Sequence, residues 1–344
     1  MIGKKNRKKG LTELTGGIRK KGATMFKTKE AYRKAWDNAY VQDSEIPLNV
    51  DIELASVCNL ACPFCFWGEA DFNAEMKKPA DDGKAKKRFM PKELAIKIID
   101  EAQYIGVPAL KMNWRGESTL HPDYTEILKR TTCGNGFHDV LVNTNANCKE
   151  TAVNGLFLAS KVMVSLDSVN PSTYQKMRVS GRLTVALETI SKLVLMKHPN
   201  IWVRRVITKD NENENFSRDV KNLFGDNVRV SEHQCFDRNV DEHHQISDPL
   251  RFERTYCGYP SQRMMIASDG TVYPCCVDYD GTMSMGKYPE QSLLEIWNGE
   301  KFKKLRNELR NNIFNSNTCK NCTSWMAYKS KNRDLVQDRE ITLF

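Results

Sequence analysis

The chain has 344 residues, 40% of them hydrophobic and six of them Trp, enough for one large domain or two ordinary ones. No apolar run approaches the ~18 residues of a membrane span, and Met1 to Gly22 is basic and polar, so neither a transmembrane helix nor a signal peptide is expected. A cytoplasmic protein is expected, and eleven cysteines in that compartment point to metal ligation or redox chemistry over disulfides.

The net charge of +9 is uneven, because Lys4, Lys5, Arg7, Lys8, Lys9, Arg19, Lys20 and Lys21 crowd the start of the chain. With Gly between them and no aromatic residue interleaved, they predict a solvated tail; the alternative is weak contact with nucleic acid or another polyanion. Lys27 to Tyr40 reads as a helix, with Ala31, Ala35, Trp36 and Ala39 at helical spacing. From Pro47 onward strands and helices alternate. The predicted strands are Asn49–Ala55, Ala109–Asn113, Asp139–Asn143, Lys161–Leu166, Trp202–Ile207 and Asn227–Ser231. The predicted helices are Pro91–Ile105, Pro122–Thr131, Lys149–Phe157, Pro171–Met177 and Thr184–Lys197. Such units predict an α/β fold with a parallel sheet, closed or partly closed, and six are fewer than the eight of a full barrel. Functional groups are expected at the C-terminal ends of the strands.

The first strand runs into Cys58-Asn59-Leu60-Ala61-Cys62-Pro63-Phe64-Cys65, a C-x3-C-x2-C spacing. Three thiolates in one compact loop can hold three irons of a [4Fe–4S] cluster and leave the fourth open. A structural zinc site would be closed by four ligands, so the competing reading is zinc completed by a remote group. The stretch Asp71–Arg88, rich in Lys, Asp and Ala, reads as an exposed insertion. Past the sixth strand His233, Cys235 and Asp237 cluster: Cys235 is a candidate thiol, and His233 and Asp237 are candidate bases. Asp237–Asp248, with His243 and His244, reads as a linker, which divides the chain into 1–46, 47–240 and 241–344.

The C-terminal region begins near Thr255 and carries C-x12-G-x4-C over Cys257, Gly270 and Cys275, then C-x2-C over Cys319 and Cys322. Ile266 to Cys275 reads as a hairpin with Asp269-Gly270 at its turn, and a helix over Ser292–Asn311 separates the two halves. Together they would gather Cys257, Cys275, Cys319 and Cys322 as four thiolates, for an iron–sulfur cluster or, alternatively, a zinc ribbon. Cys276 reads as a substitute ligand, a structural residue or a thiol hydrogen donor. Cys133 and Cys148 read as buried hydrophobes.

The cysteine loop after the first strand resembles the signature of the radical S-adenosylmethionine superfamily, and the likeness continues. Trp114-Arg115-Gly116-Glu117-Ser118 resembles its Gly-Gly-Glu-Pro motif, with Thr119 to Asp123 as the usual continuation. Val142-Asn143-Thr144-Asn145 resembles its Thr-Asn-Gly strand end, and Ser165-Leu166-Asp167-Ser168, with Tyr174 and Arg178, its Ser-Leu-Asp-Gly segment. Arg115, Ser118 and Ala146 depart from the pattern. The likeness spans about Asn49 to Cys322 and implies a partial (β/α)6 TIM-like barrel with a small cysteine-rich extension. That extension resembles SPASM and twitch auxiliary-cluster regions, and with no cysteine after Cys322 it matches the reduced twitch set with one auxiliary [4Fe–4S] cluster.

In that superfamily S-adenosyl-L-methionine chelates the open iron, and one electron, from a donor such as flavodoxin or ferredoxin, cleaves it. The 5′-deoxyadenosyl radical so formed takes hydrogen from a substrate. The resemblance assigns the first cluster to Cys58, Cys62 and Cys65, and the auxiliary cluster to Cys257, Cys275, Cys319 and Cys322. It gives Gly116 close backbone approach to the methionine amino group, Glu117 a role as its acceptor, and Phe64 the adenine. Ser165 and Asn211 fall to ribose hydroxyls or carboxylate. The first reading of the reaction is oxidation of a polar small molecule such as a sugar or cyclitol. The alternative is peptide or protein modification, including epimerisation, with Cys235 or Cys276 returning a hydrogen atom. A nucleic-acid modifier and a non-catalytic iron–sulfur or zinc protein complete the set.

Overall fold

The computed structural model of the chain describes residues 26–39, 42–65, 68, 89–134, 136–234 and 257–322. The basic tail over Lys4 to Lys21, the insertion Asp71–Arg88 and the linker Asp237–Asp248 lie outside the described residues. Six strands run parallel and pair in chain order: β1 (Asn49–Ile52), β2 (Ala109–Lys111), β3 (Asp139–Thr144), β4 (Lys161–Ser165), β5 (Ile201–Ile207) and β6 (Arg229–Gln234). A helix before β1 (α1, Lys29–Asn38) is followed by crossover helices α2 (Lys92–Ile105), α3 (Tyr124–Thr131), α4 (Glu150–Phe157), α5 (Pro171–Met177) and α6 (Leu183–Leu195). Among the described residues β1 does not pair with β6, so the barrel is partial, as the six-unit pattern implies. One further helix, α7 (Phe216–Phe224), joins β5 to β6. Its signal was present: an Asn215 cap and Phe216, Val220 and Phe224 buried four residues apart.

The strands bury both faces, and alternation sorts their side chains. Val50, Ile52, Leu110, Val140, Val142, Val162, Val164 and Val203 pack outward in one core with the crossover helices. On the other face Ala109, Leu141 and Met163 pack with Tyr32 and Trp36 of α1, which closes the inner side of the sheet. Aromatic anchors of this kind each remove roughly 150–250 Å² from water. Gln262 Nε2 donates to Trp36 O at 3.0 Å, and the Arg263 guanidinium lies over the Trp36 ring at 5.1 Å. The same inner face carries Asp51, Lys111, Arg204 and Arg263, all buried.

The hairpin expected over Ile266 to Cys275 is present, and it is built into the main sheet. After a short helix, α8 (Tyr259–Gln262), β7 (Arg263–Ile266) pairs parallel with β1 and extends the sheet beyond its first strand. Strands β8 (Thr271–Tyr273) and β9 (Gly286–Lys287) then add antiparallel, in the order β1-β7-β8-β9. Gly270 makes the turn at φ +88°, where a Cβ would lie 2.2 Å from Tyr288 O. The single helix expected over Ser292–Asn311 is two: α9 (Leu293–Trp297) and α10 (Glu300–Arg310). Gly299, extended at ψ 161°, breaks the run, and Ser292 with Glu295 forms a capping box that starts α9. A last helix, α11 (Asn317–Asn321), carries Cys319. Among the described residues no helix is long and apolar enough to cross a membrane.

Candidate functional site

The loop leaving β1 carries Cys58, Cys62 and Cys65 at the C-terminal end of the strand. Polar groups already point at its sulfurs. Leu60 N donates to Cys58 Sγ at 3.4 Å, Asn145 Nδ2 approaches it at 3.7 Å, and Arg178 Nη1 donates to Cys62 Sγ at 3.5 Å. Without metal, burial followed by the Glu117 charge pushes the Cys58 thiol up to about 12, and burial raises Cys62 against the pull of Arg178. Donors aimed at thiols that burial keeps protonated fit a site completed by a metal, which displaces the protons. Among the described residues no three Cys, His, Asp or Glu side chains close on a single ion. Three thiols on one short loop match three irons of an iron–sulfur cluster with the fourth left open, whereas a structural zinc site takes four protein ligands.

The loop after β2 stands over these cysteines. Gly116, at φ +67°, passes so close to the cysteine strand that a Cβ would sit 2.4 Å from Ala55 O and 2.6 Å from Val57 O. Gly116→Ala is therefore expected to cost at least ~1–3 kcal/mol in backbone strain alone. At roughly 1–2 °C per kcal/mol for a chain of this size, thermal melting reads it; an unchanged melt shows that the loop yields. Glu117, wholly buried, accepts from four donors. Thr119 Oγ1 (2.7 Å), Thr119 N (3.2 Å) and Thr144 Oγ1 (2.9 Å) reach its Oε1, and Asn145 N (2.7 Å) its Oε2. Burial raises its pKa while these bonds lower it. The side chain thus ties the β2 loop to the end of β3, and Asn145 carries the link on to Cys58.

Arg115, the departure from Gly-Gly-Glu-Pro, has a structural reason. Its Nε and Nη2 fork onto Glu53 at 2.6 and 3.0 Å, and its Nη1 donates to Tyr279 O at 2.8 Å. Glu53 Oε2 also accepts from Ser268 N at 3.0 Å, and Trp114 Nε1 donates to Cys276 O at 2.9 Å. These bonds clasp the β2 loop to the C-terminal cysteine region. Sequence reading noted Arg115 only as a departure, since its partners lie 62 and 164 residues away.

Phe64 is half-buried, with the Arg178 guanidinium 5.4 Å from its ring. Ser165 ends β4, partly exposed. Asn211 is fully buried and occupied by the protein itself: its Nδ2 donates to Asp167 O and Val206 O, and its Oδ1 accepts from Thr208 N at 2.8 Å. It braces the turn after β5. His233 lies near the end of β6, with Arg204 Nη2 3.3 Å from its Nε2; burial and then Arg204 push its pKa down to about 3. Cys235 and Asp237 lie outside the described residues. His121 is spent on structure, its Nε2 2.7 Å from Met90 O and its Nδ1 accepting from Asp123 N. Cys133, expected to be buried, is exposed, and Cys148 is half-buried.

The second thiol group is assembled across the chain. Cys257 and Cys322 both act electrostatically on Cys275. The buried carboxylate of Asp278 joins the two halves: it accepts from Thr282 Oγ1 (2.6 Å) and Met283 N (2.8 Å) on its own loop, and from Thr318 Oγ1 (3.2 Å) beside Cys319. Cys276 sits against Cys275: a hydrogen bond between the two thiols, then the charges of Arg263 and Lys111, lower its pKa against burial.

Comparison with known proteins agrees with this layout. Residues 257–323 match the family model of SPASM, an iron–sulfur cluster-binding domain. A tungsten-containing aldehyde ferredoxin oxidoreductase cofactor-modifying protein of Pyrococcus furiosus is 26% identical over 330 residues, 79% of this chain and 86% of that protein. An S-adenosyl-L-methionine-dependent 2-deoxy-scyllo-inosamine dehydrogenase of Niallia circulans is 32% identical over 81 residues, 23% of this chain and 32% of that protein. The crystal structure of BtrN in complex with AdoMet and 2-DOIA shares the fold, with a TM-score of 0.53 at 17% identity, over 82% of this chain and 94% of that one.

Proposed function

We propose, from the premise that this chain is a radical S-adenosylmethionine enzyme with a SPASM iron–sulfur region, that it oxidises a polar small molecule such as a sugar or cyclitol. When bound, the cluster and S-adenosyl-L-methionine supply the radical that abstracts hydrogen. Cys58, Cys62 and Cys65 hold that cluster, and Cys257, Cys275, Cys319 and Cys322 a second one. The Gly116–Glu117 loop and Phe64 position the cofactor, and Ser165 faces its ribose. The buried inner face, with Asp51, Lys111 and Arg204, receives polar groups and excludes water.

The observation that carries this reading is the clasp by which Arg115 and Trp114 hold the C-terminal thiol region, at Tyr279 O and Cys276 O, against the Gly116–Glu117 loop, which gives the electron that oxidation leaves on the substrate a place to go. Burial and Arg204 push His233 down to about 3, too weak a base at neutral pH, so the hydroxyl proton falls to the other candidate base, Asp237. The net change is CH–OH to C=O: one hydrogen atom, one proton and one electron leave. The name of the dehydrogenase relative supports the same chemistry. A cytoplasmic setting and a flavodoxin- or ferredoxin-type donor complete the proposal.

Cys276 favours a second reading, in which a thiol returns hydrogen to a peptide or other substrate and the outcome is epimerisation. Product analysis in D2O decides. Oxidation is expected to yield a two-electron-oxidised product with one S-adenosylmethionine consumed per turnover and no solvent deuterium at the reacting carbon. Asp237→Asn, at the other candidate base, is expected to lower product formation by roughly 10²–10⁴-fold while uncoupled cofactor cleavage persists. Solvent deuterium at that carbon without net oxidation would overturn the oxidation reading in favour of hydrogen return.

A further inference from the structure

We propose that Arg178 sets the reduction potential of the cluster at Cys62, holding it up by aiming its charge and one N–H at the Cys62 sulfur; this rests on Cys62 being a cluster ligand. Arg178 Nη1 lies 3.5 Å from Cys62 Sγ, and its Nε lies 2.5 Å from Asp167 Oδ2. The ion pair is deep: the Arg178 side chain is 10% exposed and that of Asp167 not at all. Asp167 is itself pinned at φ +66°, with its Oδ1 accepting from Val206 N at 2.8 Å. The planar fork of Arg can face a carboxylate and a sulfur at once, which the point charge of Lys cannot do with the same geometry.

Stability is a weak reason for such a pair, because desolvating two charges offsets their attraction. A function at the sulfur is the better one. Reducing the cluster adds one electron from the external donor and no proton, so the reduced state carries one more negative charge. A fixed cation and a hydrogen bond at one thiolate favour that state, and outer contacts of this kind set cluster potentials. Asp167 meets the guanidinium at Nε while the sulfur meets it at Nη1, and the carboxylate's own charge also bears on Cys62. It holds the fork in place and moderates its effect. The arrangement acts through Cys62, which makes Arg178 a positioning residue.

The test is a redox titration of anaerobic holoenzyme followed by electron paramagnetic resonance, reading the midpoint of the signal that added S-adenosylmethionine perturbs. Arg178→Met is expected to make reduction at least tenfold less favourable, a fall of at least ~59 mV for one electron. Asp167→Asn keeps the acceptor for Val206 N, tolerates positive φ, and leaves the Arg178 charge uncompensated, so its midpoint is expected to rise. Arg178→Lys should fall between wild type and Arg178→Met. Structural damage alone lowers cluster content and does not move two midpoints in opposite directions. Equal midpoints, or shifts of the same sign, overturn the proposal. If Arg178→Met loads no cluster, Asp167→Asn decides: a rise supports the proposal and no rise overturns it. Wild-type enzyme with no signal responsive to S-adenosylmethionine would instead remove the cluster assignment itself, and the proposal with it.

Discussion

Replacing Cys58, Cys62 and Cys65 together by Ala is expected to cut the iron bound by anaerobically reconstituted protein from about eight atoms to about four, and to abolish 5′-deoxyadenosine formation. The expected loss is complete because cofactor cleavage needs an electron delivered at the cluster that these three thiols are proposed to hold. The fold should survive, since β1 continues into β7 pairing at Glu53 N→Ile266 O, upstream of the loop. Iron analysis, with 5′-deoxyadenosine measured under a strong reductant, checks both halves. Four irons with one stoichiometric zinc in the unaltered protein would make the C-terminal site a zinc site, leaving the first cluster untouched. Continued 5′-deoxyadenosine formation by the triple variant would sink the assignment of these three cysteines.

Replacing Cys319 and Cys322 by Ala is expected to stop product formation while uncoupled 5′-deoxyadenosine formation continues. Oxidation leaves an electron on the substrate, and the C-terminal thiol group is where the structure offers it an exit. The clasp from Arg115 and Trp114 keeps that region against the cofactor loop, at Tyr279 O and Cys276 O. Metal binding can supply folding energy to a cysteine-rich region, so circular dichroism and solubility are compared first. The packing of α9 and α10 against the main core, through Leu293, Trp297 and Phe302, gives the region support that does not depend on metal. Product formation at the wild-type rate in a variant that has lost the second cluster would separate that cluster from the oxidation.

The two cysteine groups differed in how legible they were. Cys58, Cys62 and Cys65 lie within eight residues, so their spacing alone implied a shared loop and an open metal position. The second set spans 66 residues from Cys257 to Cys322, and its order implied a gathering without showing what achieves it. The structure supplies the means: β7 joins β1, and the Asp278 carboxylate bridges the Cys275 loop to the helix bearing Cys319. Asn211 differs in another way. Its position at a strand end suggested a ligand contact, yet local bonds to Val206 and Thr208 and one to Asp167, 44 residues away, occupy it. A sequence position says where a side chain starts and not which backbone groups reach it first.

What the sequence by itself determined was local and periodic. The alternation of strand-like runs with helical periods from Pro47 onward placed all six strands of the parallel sheet, because each strand must turn an apolar face to the crossover helices that cover it. Cysteine spacing grouped Cys58, Cys62 and Cys65, because three side chains within eight residues share one loop. What only the tertiary structure decided is long-range. Arg115 meets Glu53 across 62 residues, and Arg178 meets Cys62 across 116, each through side chains whose neighbours in sequence carry no sign of the partner. Buried charges of this sort must be paired when water is removed, and which charge pairs with which depends on how the strands register and the loops fold over them. The same dependence joined the Ile266 to Cys275 hairpin to the sheet through β7 and β1, since an edge strand pairs with whatever edge the finished barrel leaves open.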